Sequence, residues 1–174
     1  NIKASVYLEM IQNTSIAIIG CGAIGSYMAV LLAALGVGEL TLIDGDVIEE
    51  SNLIRQVFFT ENDIGRLKVN VLAEYLKRFN SNTNVKKVKD YIHDGNVLKI
   101  LSDFDLIIQT ADKPRIEIDR IVNKGSMVKG IPAIYVHNYS VGPLVIPKET
   151  SCFECLISMV NNKSKGKFQN FINT

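Results

Sequence analysis

The sequence predicts an α/β fold, a doubly wound and mostly parallel sheet with helices on both faces. Two observations predict it. Short apolar runs alternate with helical patterns along almost the whole chain, and the first run ends in a glycine-rich turn that opens a helix. Composition agrees: 174 residues, 47% hydrophobic and 21% charged, describe one folding domain rather than a disordered segment.

The elements follow in order. Ser15–Ile19 is a short apolar run suited to a strand buried on both faces. Ala23–Leu35 reads as a helix, apolar on nearly every side, with Gly36 placed to end it in a left-handed C-cap. Leu40–Ile43 is the second strand, followed by a polar loop through Asp44, Asp46, Glu49, Glu50, Ser51 and Asn52. From Gly65 to Phe79, Leu67, Val71, Leu72, Tyr75 and Leu76 recur at helical spacing. Val85–Ile92 alternates apolar and charged residues, the pattern of an edge strand. A short helix at Val97–Leu101, a buried strand at Leu106–Gln109, a helix from Pro114 to Lys129 begun by its proline, and strands at Ala133–Val136 and Val141–Ile146 complete the order. The Asn- and Lys-rich tail from Asn161 to Thr174 offers only Phe168, Phe171 and Ile172 for burial.

Charge and cysteine content narrow the functional classes. Nineteen Lys and Arg against eighteen Asp and Glu leave a net charge of +1, so no global field draws the chain to nucleic acid or to an anionic membrane. Three cysteines make no disulfide framework, which suits a reducing cytoplasm. Met10 to Gly38 has no charged residue and is long enough to span a bilayer, but its glycines divide it into strand, turn and helix, so no membrane span is expected.

Gly20, Gly22 and Gly25 form a GxGxxG turn between strand and helix, as in Rossmann-like nucleotide-binding units. Glycine lets a phosphate approach the backbone, and the helix N-terminus presents free N–H groups to it. Asp44, at the end of the second strand, is placed to accept bonds from ribose hydroxyls. Cys21 reads as a small buried hydrophobe rather than a nucleophile. The cations that follow favour a triphosphate over a dinucleotide. Arg55 offers a planar fork and Lys68 a point charge, both suited to charge that grows as pyrophosphate leaves. Asp112, just past Leu106–Gln109, is expected to cap the next helix, to hold magnesium in the crevice of the sheet, or both.

These residues, taken as an ordered set, resemble a known family. Gly36 to Glu49, Ser51-Asn52-Leu53, Arg55-Gln56, Gly65 with Lys68, Thr110-Ala111-Asp112 and Cys152-Phe153-Glu154-Cys155 are similar to the ThiF, MoeB and HesA proteins, bacterial relatives of ubiquitin-activating enzymes. The resemblance implies an adenylyltransferase: the C-terminal carboxylate of a peptide or of a small ubiquitin-like or sulfur-carrier protein attacks the α-phosphate of ATP, giving an acyl-adenylate and pyrophosphate. It implies that Asp44 binds ribose, that Asn52, Arg55 and Lys68 bind the phosphates, and that Asp112 acts through Mg2+. It also implies a homodimer, and a structural Zn2+ held by two CxxC pairs, of which Cys152 and Cys155 are one. Val141 to Pro147, with Tyr139 ahead, looks like the branch that adenylates peptides in microcin maturation, and His137 is a candidate for lining its acceptor pocket. His93 reads as a surface residue.

Two features depart from the family. Asn1–Thr14 contains no arginine where an arginine segment is usual, and the second CxxC is missing. The expected organisation is therefore an N-terminal segment (1–14), an incomplete ATP-binding adenylation domain (15–160) and a connecting tail (161–174) of a longer protein. The competing readings are an NAD-dependent oxidoreductase on the same nucleotide-binding fold and a catalytically inactive dimeric scaffold.

Overall fold

The computed structural model describes residues 4–138 and 140–165. Tyr139 and the tail positions Phe168, Phe171 and Ile172 lie outside the described residues. A six-stranded sheet has the order β3-β2-β1-β4-β5-β6, from β1 (Ser15–Ile19), β2 (Glu39–Ile43), β3 (Asn84–Val88), β4 (Leu106–Gln109), β5 (Ala133–His137) and β6 (Ser140–Val145). The first five strands pair in parallel and β6 returns antiparallel on the edge of β5. The doubly wound, mostly parallel sheet expected from the sequence is thus the fold. Strand order reverses between β1 and β4, the point at which such sheets open a crevice at their carboxyl ends.

Side chains alternate across the sheet and build a core on each face. Ile16, Ile18, Leu40 and Leu42 pack against α2 (Ala23–Leu35) and α3 (Lys68–Phe79) through Ala29, Ala33, Val69, Leu72 and Leu76. Ala17, Ile19, Ile43, Ile107, Ala133 and Tyr135 face the other way, toward α4 (Val97–Ile100), α5 (Glu117–Lys129) and α6 (Phe153–Lys163). Gly36 ends α2 at φ +90, as expected of a left-handed cap, with its N–H bonded back to Ala33 O.

The structure corrects several expectations. The third helix begins at Lys68 rather than Gly65, which sits in a turn at φ +84 and donates its N–H to Ile48 O. The third strand stops at Val88, because Lys89 and Asp90 carry no alternate apolar face to continue it. Pro114 does not begin α5: it follows a cis peptide bond, and the helix starts at Glu117. Two helices were not expected. They are α1 (Ala4–Gln12), with no buried residue, and α6, which begins inside the CxxC sequence and runs on to Lys163.

Candidate functional site

The glycine loop is shaped by contacts that exclude side chains at two of its three glycines. Gly20 has φ +88, and a Cβ there would sit 2.7 Å from Ala111 N and 2.9 Å from Ala111 Cα. A Cβ on Gly25 would run into the carbonyl oxygen of Gly20 and lie 2.7 Å from Thr110 Oγ1. Thr110 Oγ1 bridges the turn, with contacts of 2.9 Å to both Ile19 O and Gly20 O. The loop after β1 and the loop after β4 are therefore packed backbone to backbone. Gly22 differs. It is the N-cap of α2 at φ −75, and its nearest neighbour is Gln56 Nε2, 3.8 Å from an added Cβ. Its missing side chain leaves the helix N-terminus open to a ligand.

Asp44 stands at the end of β2 and is 9% exposed. Its Oδ2 accepts the Cys21 N–H at 2.6 Å and its Oδ1 the Asp46 N–H at 2.7 Å. Burial pushes this carboxyl up, against the two amide bonds and the nearby Lys68, which pull it down. Each carboxylate oxygen keeps a further lone pair, so the acceptor role for ribose hydroxyls stays open while the carboxylate holds the loop. Cys21 is fully buried, and burial drives its thiol well above the ordinary range, as suits a packing residue.

The phosphate candidates fall on the segment between β2 and α3. Asn52 is buried within a one-turn 3₁₀ helix, Glu50–Asn52, and its Oδ1 accepts the Glu49 N–H. Arg55 is exposed, with Nη1 on Ser51 O at 3.0 Å. Lys68 opens α3 and is 6% exposed. Its Nζ lies 2.7 Å from Asp46 Oδ2, and its backbone N–H donates to Asp46 O. A buried ammonium needs such a partner, and it keeps donors for a phosphate beside it.

That partner was not singled out from the sequence. Asp46 also accepts the Tyr91 hydroxyl at 2.6 Å, and the Tyr91 ring covers Gly45 closely enough that a Cβ there would sit 2.7 Å from its edge. Partial burial raises the Asp46 carboxyl, but the Lys68 and Tyr91 bonds outweigh it and hold the group below its usual range. The Tyr91 hydroxyl is correspondingly pushed up to about 12, first by its bond to Asp46. The spacing of two acids around Gly45 was the only available signal.

Asp112 lies exposed in the loop after β4, at the carboxyl end of the sheet. It does not cap α5, whose N-cap position is Ile116 with no side-chain bond. An exposed carboxylate is a ligand type that Mg2+ takes, one or two together with substrate phosphates. Nearby, Gln109 Nε2 donates to Asp119 Oδ1 at 3.0 Å, and His137 Nε2 lies 3.4 Å from Asp119 Oδ2. The Asp119 carboxylate raises the His137 imidazole, against partial burial and with help from Asp112. His137 is thus tied into a buried network, a role its sequence did not reveal. His93 is exposed, as expected, and its Nδ1 accepts the Gly95 N–H.

Cys152 is the N-cap of α6 and Cys155 lies in its first turn, with the two sulfurs 3.5 Å apart. Burial raises the Cys152 thiol, but bonds from Cys155, Glu154 N–H and Asn123 bring it below its ordinary value. Two thiolates supply half of a four-coordinate zinc shell. Among the described residues no group of three or more His, Cys, Asp or Glu could hold a metal, so these residues do not make a complete zinc site.

The fold and these groups define a doubly wound α/β protein with Asp44 and an Asp46–Lys68 pair gathered at the carboxyl ends of its strands. The chain belongs to the ThiF family, whose pattern matches residues 3–173. Over 145 residues it is 33% identical to the sulfur carrier protein ThiS adenylyltransferase of Bacillus subtilis, covering 80% of this chain and 43% of that one. It is similar in structure to E. coli MccB in complex with MccA-N7isoASN, with TM-score 0.82 and 35% identity over 87% of this chain and 45% of that one. E. coli MccB with ATP matches at TM-score 0.81 and 33% identity, over 91% of this chain and 50% of that one. The chain thus spans no more than half the length of each of these proteins.

Proposed function

We propose that this chain is the nucleotide-binding part of an ATP-dependent adenylyltransferase that activates the C-terminal carboxylate of a peptide or of a small sulfur-carrier or ubiquitin-like protein. One observation carries the reading. The open N-terminus of α2, Asp44, the Asp46–Lys68 pair and Asp112 follow or adjoin strands β1, β2 and β4, which are neighbours in the sheet. In this reading an acceptor carboxylate oxygen forms a bond to the α-phosphorus, the bond from that phosphorus to the bridging oxygen breaks, and pyrophosphate leaves with the electron pair. Asp44 holds the ribose, Asn52 and Arg55 the phosphates, and Lys68 offsets the charge that grows on the leaving group. Mg2+ held by Asp112 would supply further charge neutralisation there.

The reading extends to a homodimer in the cytoplasm and to Cys152 and Cys155 as two ligands of a four-coordinate zinc shell, whose remaining ligands are not cysteines of this sequence. Among the described residues no helix is long and apolar enough to cross a membrane. The relatives named above support the adenylyltransferase reading over an oxidoreductase. ATP–pyrophosphate exchange on the full chain, across acceptor peptides with free C-termini, tests it. Acceptor-dependent exchange is expected. Tight NAD binding with no response to Mg-ATP would overturn it.

A further inference from the structure

The geometry assigns Gln56 as a nucleotide-positioning residue whose side-chain amide bonds the ribose-phosphate part of a nucleotide over Gly22. This rests on the ATP-binding reading above. Gln56 is 3% exposed, and its Oε1 is buried with no hydrogen-bond partner among the described residues. Buried amides are almost always satisfied, so an unpartnered one points to a ligand that completes it. Its place says which ligand. Nε2 lies 3.8 Å from where a Cβ on Gly22 would stand, at the open N-cap of the thirteen-residue α2. The adjacent Cys21 N–H is held by Asp44, so the amide and the carboxylate flank the same two residues of the loop.

The position of Gln56 is set by its backbone, not by its amide. Its N–H donates to Asn52 O at 2.9 Å and its carbonyl accepts the Phe59 N–H at 3.0 Å, which fixes the turn after the 3₁₀ helix. Its Oε1 thus makes no folding bond among the described residues. An amide carries one donor end and one acceptor end. A nucleotide offers matching groups close together, phosphate oxygens that accept and ribose hydroxyls that donate. Inorganic pyrophosphate offers only acceptors.

The test compares Gln56→Met and Gln56→Glu with the unaltered protein by calorimetric titration of Mg-ATP and of magnesium pyrophosphate, alongside thermal melts without ligand. Gln56→Met removes both bonds at similar volume. It is expected to keep or raise the melting temperature, because a buried unpaired acceptor is gone, while weakening Mg-ATP on the order of tenfold to a hundredfold. Its loss for pyrophosphate should be smaller. Gln56→Glu keeps an acceptor but sets an anion against the phosphates and should weaken both ligands. Gln56→Met binding Mg-ATP within about twofold of the unaltered protein overturns the proposal, as does a fall in melting temperature with no change in affinity for the folded fraction. Failure of the unaltered protein itself to bind Mg-ATP overturns the ATP reading and this assignment with it, which separates the two.

Discussion

Replacing Asp112 tests the chemistry with little interference from folding, because the structure removes the confounding role that the sequence suggested. A capping aspartate is worth about 1 kcal/mol. In a domain of this size that would lower the melting temperature by about 2–4 °C on substitution. Asp112 caps nothing and is exposed. Both Asp112→Asn and Asp112→Ala should therefore stay within about 0.5 kcal/mol of the unaltered protein. The catalytic cost is of another order. A charged group that acts only as pyrophosphate departs contributes about 3–4 kcal/mol to the transition state, or roughly 10²–10³ in rate, by analogy with other electrostatic groups. Pyrophosphate exchange on the full chain with its acceptor, at saturating ATP and magnesium, should fall by that factor in both variants while thermal melts coincide. Near-normal exchange in Asp112→Asn would remove the residue from the mechanism. A melting temperature lowered beyond about 4 °C would refute the claim that it carries no structural load.

Lys68→Met should cost about 1–3 kcal/mol, through the loss of a charged hydrogen bond to Asp46, and should abolish measurable exchange. Urea titration and exchange assays check this, and adding Asp46→Asn should recover stability but not turnover. Gly25→Ala should lose nucleotide binding, because its Cβ meets the Gly20 carbonyl, whereas Gly22→Ala should fold normally and show only a weaker Mg-ATP titration. The His137–Asp119 pair makes stability depend on pH. The folded imidazole titrates above its ordinary 6.5, so its contribution is complete below that value and is lost as pH rises through the higher folded value. Urea unfolding between about pH 5.5 and 8.5 should show this slope, and Asp119→Asn should flatten it. Metal analysis of the full chain should find about one zinc per subunit, and zinc-free protein with a normal melt would end the thiolate reading of Cys152 and Cys155.

The sequence carried the fold because its strongest signals are local. Apolar runs such as Ile16–Ile19 and Leu106–Ile108 need burial on both faces, and a glycine such as Gly36 is the residue that tolerates φ +90 at a helix end. Where signals were weak, reading failed in a physical way. Helix α1 buries none of its residues: its apolar Val6, Tyr7, Leu8 and Met10 stand exposed, so apolar content did not mark it as a core helix. Helix α6 hid behind the metal-like spacing of Cys152 and Cys155, although Phe153 and Ile157, four apart, are its two buried anchors. Pro114 was a reasonable helix start, but the chain uses two more residues, Arg115 and Ile116, before the helix opens at Glu117. The placing of Asp44 and Asp112 just past a strand end was legible from position alone. Residues defined by a partner far along the chain were not. Asp46 meets Tyr91 across 45 positions and Asp119 meets His137 from a different element, and no local pattern announces either contact.

The packing of Gly20 and Gly25 against Thr110 and Ala111 has a consequence for how this fold can vary. Ninety positions of sequence separate Thr110 from the carbonyl of Gly20 that it touches, yet there is no room for either loop to accept a larger neighbour. The atoms that crowd Gly20 are backbone, and the first to meet a side chain on Gly25 is the Gly20 carbonyl, so no substitution at 110 or 111 alone makes room. A library meant to reshape the pocket would hold 20 and 25 as glycine. Positions such as Gly22, with open space around it, can be explored one at a time.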